Sequence, residues 1–183
     1  MKTTKRFTLL LVLILILVTI IPVAAQTNQD IKLWINGKYV ETDVAPIIEN
    51  DRTLVPVRVI SESLGAIVEW DAEEQLVSIM DVDIDLNNLD DELNILKFKN
   101  FFILAIGETE LIKVNADYMQ KLLTDELKEG IHEVSDEDVE KNSTIVPMDT
   151  AAKIVDGRTM VPIRVIAEQL GVKVDWDADN RTV

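Results

Sequence analysis

A duplicated segment constrains this chain of 183 residues more than any other feature of its sequence. Residues 52–77 recur as residues 158–183, always 106 positions later and without a gap. Fifteen of the 26 aligned positions are identical, including the run Arg-Thr-x-Val-Pro-x-Arg-Val-Ile that opens each copy. Chance does not produce such a match at one fixed offset, so the chain contains an internal repeat.

Each copy has the pattern of a short strand, a short helix and a β-hairpin. Its extended segment, residues 53–55 or 159–161, is followed by Pro56 or Pro162, and proline suits the first position of a helix because its missing N–H costs nothing there. About two helical turns follow and end at Gly65 or Gly171, since glycine adopts the left-handed conformation that closes many helices. The alternation of apolar and polar residues around Trp70 then predicts the first strand of the hairpin.

A further hairpin is predicted before each copy. An Asn-Gly turn separates residues 31–35 from 38–40, and Asn-Gly between two apolar runs is a strong hairpin signal. Before the second copy, a looser four-residue turn separates residues 101–106 from 111–114. The predicted unit is therefore hairpin, strand, short helix and hairpin, and it is present twice.

Several motifs of both copies resemble one known family. The first copy has Ile-Asn-Gly-Lys at 35–38, Asn-Asp-Arg-Thr-Leu-Val-Pro-Val-Arg at 50–58, Ser-Leu-Gly at 63–65 and Glu-Trp-Asp at 69–71. The second has Asp-Gly-Arg-Thr-Met-Val-Pro-Ile-Arg at 156–164, Leu-Gly at 170–171 and Asp-Trp-Asp at 175–177. These motifs resemble the copper amine oxidase N-terminal-like domain, or stalk domain, frequent in secreted and surface proteins of Gram-positive bacteria. The resemblance covers most of residues 31–80, roughly 101–114, and 144–183.

The resemblance implies an α+β fold in which a twisted antiparallel sheet curls around short helices. It also implies a non-catalytic appendage, because copper and the quinone cofactor of the amine oxidases lie in a separate catalytic domain. A copper site requires a cluster of imidazoles, and His132 is the only histidine of this chain. We therefore expect no cofactor and no enzymatic activity.

The N-terminus has the pattern of a secretory leader. Three basic residues precede an apolar run over residues 7–21, and small residues follow up to Ala25, which predicts a signal peptide over residues 1–25. An uncleaved anchor is the alternative, because residues 7–25 are together just long enough to span a bilayer. The rest, 26–183, is predicted to be one domain: repeat one at 31–80, an acidic insert at 81–100, and repeat two at 101–183 with a helical acidic insert at 116–142.

Composition excludes several classes of chemistry. Without cysteine, the chain cannot form disulfides, thiolate metal sites or a cysteine nucleophile. Removing residues 1–25 takes away three of the 18 basic residues and none of the 33 acidic ones, leaving a formal charge of −18. Nucleic acid is not an expected partner, because phosphate binding needs clustered Lys and Arg.

The charged side chains shared by the copies have structural explanations. Arg58 with Glu62, and Arg164 with Glu168, have the i, i+4 spacing of helical ion pairs. Arg52 and Arg158 are expected to form structural ion pairs with Asp71 and Asp177. The repeat positions to which we assign structural roles are Arg52, Pro56, Arg58, Glu62, Gly65, Trp70, Asp71, Arg158, Pro162, Arg164, Glu168, Gly171, Trp176 and Asp177.

The three tryptophans allow two interpretations. Trp70 and Trp176 alternate with valines in equivalent positions, and tryptophans in a small fold commonly fill the core. Core packing is therefore the expectation. The alternative is an exposed aromatic platform for sugars, to which Trp34 would also contribute.

One acidic stretch has the carboxylate spacing of a calcium loop. Asp81, Asp83, Asp85 and Glu92 occupy the first, third, fifth and twelfth positions. Leu86 stands where such a loop needs glycine, and the apolar residues alternate as in a strand. An acidic strand or loop is therefore the favoured interpretation and calcium the weaker one.

A helix is predicted within the second acidic insert. Apolar residues recur at helical spacing from Tyr118 to Leu127 and stop at Gly130. A stripe of this kind usually packs on its own domain, and docking of a partner is the alternative. His132 follows in an acidic loop, where a solvated side chain is expected rather than a catalytic base.

These observations predict a secreted or cell-surface, non-catalytic stalk-type module that serves binding, adhesion or spacing at the bacterial cell envelope. Its expected partner is an envelope component or another surface protein, and it would contact the membrane only through an uncleaved leader. One alternative is a carbohydrate- or peptidoglycan-binding module that uses exposed tryptophans. A small secreted acid-dependent hydrolase is the other.

Overall fold

The computed structural model describes residues 30–84, 96–129 and 135–183, which form the predicted mixed α+β fold. Their strands lie in antiparallel sheets of two, four and five strands. The strands are β1 (Leu33–Ile35), β2 (Lys38–Val40), β3 (Ile47–Glu49), β4 (Arg52–Pro56), β5 (Ile67–Asp71), β6 (Leu76–Ile84), β7 (Leu96–Ala105), β8 (Glu110–Val114), β9 (Ser143–Pro147), β10 (Lys153–Val155) and β11 (Arg158–Pro162). The helices are α1 (Val57–Ser63), α2 (Ala116–Glu129), α3 (Asp136–Lys141) and α4 (Ile163–Gln169).

The four-stranded sheet, in the order β10-β11-β4-β3, has internal symmetry. The bounds of β3 and β4 map onto those of β10 and β11 by the same offset of 106. The inner strands β4 and β11 pair antiparallel, with Val55 opposite Val161 and Leu54 opposite Pro162. Because exchanging the two copies reproduces this register, a pseudo-twofold axis passes between Val55 and Val161.

The helices α1 and α4 also obey the offset, and they pack against each other. Each ends before a glycine, as predicted, but begins directly after the proline rather than at it, because Pro56 and Pro162 are the last residues of β4 and β11. Gly65 and Gly171 have φ values of 91° and 82°. Their amides donate to the carbonyls of Glu62 and Glu168, at 3.0 Å in both cases. Both helices therefore have the same left-handed glycine termination.

The five-stranded sheet, in the order β5-β6-β7-β8-β9, is formed mainly by a long β6–β7 hairpin. The predicted acidic insert at 81–100 contributes to this hairpin, since residues 81–84 lie in β6 and 96–100 in β7. The register shifts between Asp81 and Val82. One face of the sheet is apolar and buried. Its buried side chains include Val68, Val77, Ile79, Phe102, Leu104 and Leu111.

The apolar core contains buried side chains of both copies. The helices contribute Ile60 and Ile166, and the inner strands of the four-stranded sheet contribute Val55 and Val161. Leu33 of the leading hairpin belongs to the same cluster. The two copies therefore share one hydrophobic cluster rather than enclosing separate ones.

The trailing hairpin differs between the copies. The first copy forms the antiparallel pair β5–β6. In the second copy, the equivalent segment retains a single bridge, between Asp177 and Thr182. The last residues pair instead with the start of β1, because Trp34 N donates to Val183 O at 2.8 Å and Val183 N donates to Lys32 O at 2.9 Å.

Two short strands, β3 and β10, are present that the sequence interpretation did not predict. Each forms a hairpin with the strand that follows it. Their turns are Asn50-Asp51 and Asp156-Gly157, and all four residues have positive φ. Asp-Gly is a recognised hairpin signal, so this pair of strands could have been predicted in the second copy.

Candidate functional site

The tryptophans of the repeat are exposed, so the prediction that they fill the core is wrong. Trp70 is 39% exposed and Trp176 is 42% exposed. Trp70 lies on β5, an outermost strand of the five-stranded sheet, so it has a neighbouring strand of that sheet on one side only. Trp34 is also exposed, and its ring meets that of Tyr39 edge to face at 4.6 Å.

Trp70 forms part of a cleft of about 560 Å³, here called the first cleft. One side consists of residues from the first copy, including Arg58 at the start of α1. The other side consists of residues from the β10–β11 hairpin of the second copy, including Ile154 and Arg158. The complete lining is Asp43, Pro56, Val57, Arg58, Val59, Glu62, Val68, Trp70, Val77, Ile154, Gly157, Arg158 and Thr159.

Trp176 forms part of a second cleft, of about 330 Å³. The second copy supplies Trp176 and Arg164, and the β3–β4 hairpin of the first copy supplies Ile48 and Arg52. The complete lining is Ile48, Asp51, Arg52, Thr53, Pro162, Ile163, Arg164, Val174, Asp175, Trp176 and Val183. Ten of these eleven positions correspond, at the offset of 106, to positions that line the first cleft. The pseudo-twofold axis therefore relates two versions of one site, each built by both copies.

A salt bridge crosses between the copies beside each cleft. Arg158 contacts Oδ2 of Asp43 through Nε at 2.7 Å and Nη2 at 2.5 Å. Arg52 contacts Oδ2 of Asp149 in the same way, at 2.6 and 2.5 Å. Asp43 and Asp149 are themselves 106 positions apart. The two bridges are thus equivalent, and each fixes one arginine of a cleft.

The prediction that these arginines form ion pairs with Asp71 and Asp177 is wrong. The carboxylate of Asp71 accepts hydrogen bonds from the amides of Glu73 and Glu74 at 2.8 and 3.0 Å. That of Asp177 accepts from the equivalent turn, including the side-chain amide of Asn180 at 2.7 Å. Both aspartates therefore stabilise the turns that follow the tryptophans.

Two aspartates have lowered pKa values. The hydrogen bond from Arg158 is the largest cause that lowers the pKa of Asp43 below that of an ordinary aspartate. The hydrogen bond from the side chain of Asn180 is the largest cause that lowers the pKa of Asp177. Both carboxylates therefore stay ionised to a lower pH than an ordinary aspartate does.

The predicted helical ion pairs are present. Arg58 contacts Glu62 at 3.3 Å and Arg164 contacts Glu168 at 3.8 Å. All four side chains are about half exposed. Each cleft thus has two arginines at its surface, and both are next to carboxylates.

The calcium candidates are only partly within the described residues. Asp81 accepts a hydrogen bond from the side chain of Asn100 at 2.9 Å, and Asp83 contacts Lys99 at 3.4 Å. Both lie on β6, which agrees with the acidic-strand interpretation. Asp85 and Glu92 lie outside the described residues. In the ranges that the structure describes, no group of three or more His, Cys, Asp or Glu side chains could hold a metal ion.

The helix predicted within the second insert is α2, which packs against β7. Tyr118, Met119, Leu122 and Leu123 are half-buried. Its Gln120 side chain accepts a hydrogen bond from the amide of Phe98 at 3.3 Å. The helix therefore packs on its own domain, as favoured. His132 lies outside the described residues.

Sequence reasoning missed two kinds of residue. Ile48 and Ile154 are given by each copy to the other copy's cleft, and Asp43 and Asp149 bridge the two copies. The repeat continues upstream of residue 52, because all four residues also obey the offset of 106. Extending the comparison of the copies by nine residues would have identified them.

The comparisons with known proteins give one match. The family model described as the copper amine oxidase N-terminal domain matches residues 34–183. No curated protein and no solved structure matches the chain. In the described ranges, none of the helices has the length and apolarity needed to cross a membrane.

Proposed function

Because the chain belongs to the copper amine oxidase N-terminal domain family, we propose that it is a non-catalytic stalk-type module that binds a component of the bacterial cell envelope. In the copper amine oxidases this domain is a non-catalytic module. The leader-like residues 1–25 support a secreted or cell-surface location for the protein. Its partner is an envelope component or another surface protein.

The duplicated cleft is the observation that carries this proposal. Each cleft combines an exposed tryptophan with carboxylates and with one arginine from each copy. Exposed aromatic and arginine side chains supply much of the binding energy in protein interfaces. A surface of this kind that is present twice supports a binding role, since it gives the domain two points of attachment. Both clefts are open to solvent, as the half-exposed indoles indicate.

Co-sedimentation with purified Gram-positive cell walls tests the proposal. We expect the wild-type protein to sediment with the walls, and the double variant Trp70→Ala/Trp176→Ala to lose at least about tenfold in bound fraction. Trp34→Ala is the matched control, because Trp34 is 49% exposed, slightly more than the other two tryptophans, but lines neither cleft. Absence of wild-type binding would overturn the proposed function.

A variant of α2 tests whether this helix, rather than the clefts, is the surface that attaches to the cell wall. Tyr118 and Leu122 lie on the half-buried stripe of this helix, which packs on β7. We therefore expect exposed substitutions on α2, such as Lys121→Ala, to leave the bound fraction unchanged. A large loss with Lys121→Ala would instead point to the helix as the attachment surface.

A further inference from the structure

The surface of each cleft combines a flat aromatic ring with aliphatic side chains. In the first cleft, Trp70 lies with Val68 and Ile154, and Ile154 is 49% exposed. In the second cleft, Trp176 lies with Val174 and Ile48, which is 51% exposed. An indole ring presents a large apolar face with a partial negative charge, which attracts the slightly positive hydrogens of C–H groups. Each cleft can therefore hold a flat ligand that has a C–H face.

The charged side chains that line each cleft are equal in number and opposite in sign. Arg58 and Arg158 in the first cleft are matched by Asp43 and Glu62. The second cleft has Arg52 and Arg164 against Asp51 and Asp175. The whole chain, by contrast, has a formal charge of −15. The clefts thus favour a ligand without net charge, because an anionic polymer would meet the repulsion of the whole protein with no local excess of positive charge.

The polar groups at the cleft surface are donors next to acceptors. A guanidinium group only donates hydrogen bonds and a carboxylate only accepts them, whereas a hydroxyl group does both. Arg158 beside Asp43, and Arg58 beside Glu62, place the two kinds of group within 3.3 Å of each other. A ligand with several neighbouring hydroxyl groups can therefore use both partners of each pair.

We propose that the two clefts bind neutral pyranose units of a linear polysaccharide, with the C–H face of a sugar ring stacked on Trp70 in one cleft and on Trp176 in the other. This inference rests on the proposed function and names the ligand class of the same clefts. Because the pseudo-twofold axis relates the clefts, one chain has two attachment points. A polymer that occupies both gains avidity of about 10²-fold or more over a single cleft, and two separate polymers would be cross-linked.

Titration of the full chain with chitohexaose, a neutral oligosaccharide of N-acetylated pyranose units, tests the inference. Calorimetry should give two sites per chain, and binding should change the tryptophan fluorescence. Trp70→Ala and Trp176→Ala should each weaken binding at one of the two sites by at least about tenfold, and the double variant should weaken it at both. Trp34→Ala should leave both sites intact.

Conservative variants and other ligands keep the result decisive. Trp70→Phe retains an aromatic face, so it should bind more tightly than Trp70→Ala, and circular dichroism shows whether each variant is folded. Hyaluronate, a polyanion, and decaproline, a peptide, should bind at least tenfold more weakly than chitohexaose. Tighter binding of either one, or equal binding of chitohexaose by wild type and the double variant, would overturn the inference.

The two proposals fail in different ways. Cell walls that retain the wild-type protein but not the double variant, combined with no binding of chitohexaose or of peptide-free wall glycan, would refute the glycan assignment alone. Failure of the wild-type protein to bind cell walls would refute the proposed function itself.

Discussion

At the scale of single residues, two arginines of the repeat form salt bridges between the two copies. Arg52 reaches Asp149, and Arg158 reaches Asp43, across the pseudo-twofold axis. These side chains are substantially exposed, with values of 39–65%. Exposed ion pairs contribute little to stability. Their main effect is therefore to position the arginines beside the clefts.

The titration of Asp43 should reveal its salt bridge. Its pKa in the folded chain lies below that of an ordinary aspartate, chiefly because of the hydrogen bond from Arg158. The stabilisation from this pair is therefore present above the ordinary pKa and is lost as the pH falls through the lowered value. Carboxyl chemical shifts in NMR measure the titration. Arg158→Ala should return the pKa of Asp43 towards its ordinary value, and an unchanged pKa would contradict the assigned cause.

A second residue-scale prediction concerns Ser61, whose hydroxyl is fully buried without a hydrogen-bond partner among the described residues. The equivalent position in the second copy is Ala167, which is also buried. An unsatisfied buried hydroxyl costs about 1 kcal/mol or more. Ser61→Ala should therefore raise the free energy of unfolding by about 1 kcal/mol in urea denaturation.

The reverse change in the second copy is the matched control. Ala167→Ser introduces a hydroxyl into the equivalent buried position and should lower the free energy of unfolding. A loss of stability in Ser61→Ala would show that the hydroxyl forms a hydrogen bond in solution.

At the scale of secondary-structure elements, local sequence signals set where the helices begin and end. Pro56 and Pro162 directly precede α1 and α4. Gly65 and Gly171 follow them with left-handed backbone conformations. These signals act within a few residues, so the same bounds appear in both copies.

Replacement of the terminating glycines should measure the strain of this conformation. An added Cβ at Gly65 or Gly171 would meet no atom within 4 Å. The cost of Gly65→Ala therefore comes from the left-handed backbone, and it should be about 1–2 kcal/mol. Thermal or urea unfolding gives this value. Gly65→Asn should cost less, since asparagine tolerates this conformation, and equal costs would contradict the explanation.

At the scale of the whole molecule, the pairing of β4 with β11 joins the two copies. Val55 and Val161 lie opposite each other at the axis, and both are fully buried. They belong to a core cluster formed by both copies. We therefore expect the domain to unfold in one cooperative transition rather than copy by copy.

Substitutions at the axis test this cooperativity. Val55→Ala and Val161→Ala should each lower the free energy of unfolding by about 2 kcal/mol, because each removes buried methyl groups and leaves a cavity. The double variant should depart from additivity by about 0.5 kcal/mol or more, since the two residues are neighbours. Two separate unfolding transitions, or full additivity, would contradict a shared core.

Hydrogen exchange should show whether the two ends of the described fold open together. The amides of Lys32 and Trp34 donate to Arg181 and Val183, and Val183 donates back to Lys32. If these hydrogen bonds open only when the whole domain unfolds, the amides of Lys32, Trp34 and Val183 should exchange at the same rate. Faster exchange of Val183 than of Lys32 and Trp34 would indicate that the last residues fray independently.

The sequence by itself determined the features that depend on neighbouring residues. The Asn-Gly hairpin, the proline and glycine bounds of α1 and α4, and the i, i+4 ion pairs all follow from side chains a few positions apart. The long motif shared by the two copies also indicated the family, which the family model matches over residues 34–183. The exposure of Trp70 did not follow, since a strand shows the same alternation in the middle of a sheet as at its edge.

Only the tertiary structure decided how the copies meet. The hydrogen bond from Arg52 to Asp149 spans 97 residues, and the one from Arg158 to Asp43 spans 115. Such contacts depend on the register of β4 against β11, and no local propensity specifies a register between distant strands. That register creates the pseudo-twofold axis, and the axis brings the hairpin of each copy beside the tryptophan of the other. The two clefts therefore form only in the folded chain, although all the residues that line them lie in the two copies of the repeat.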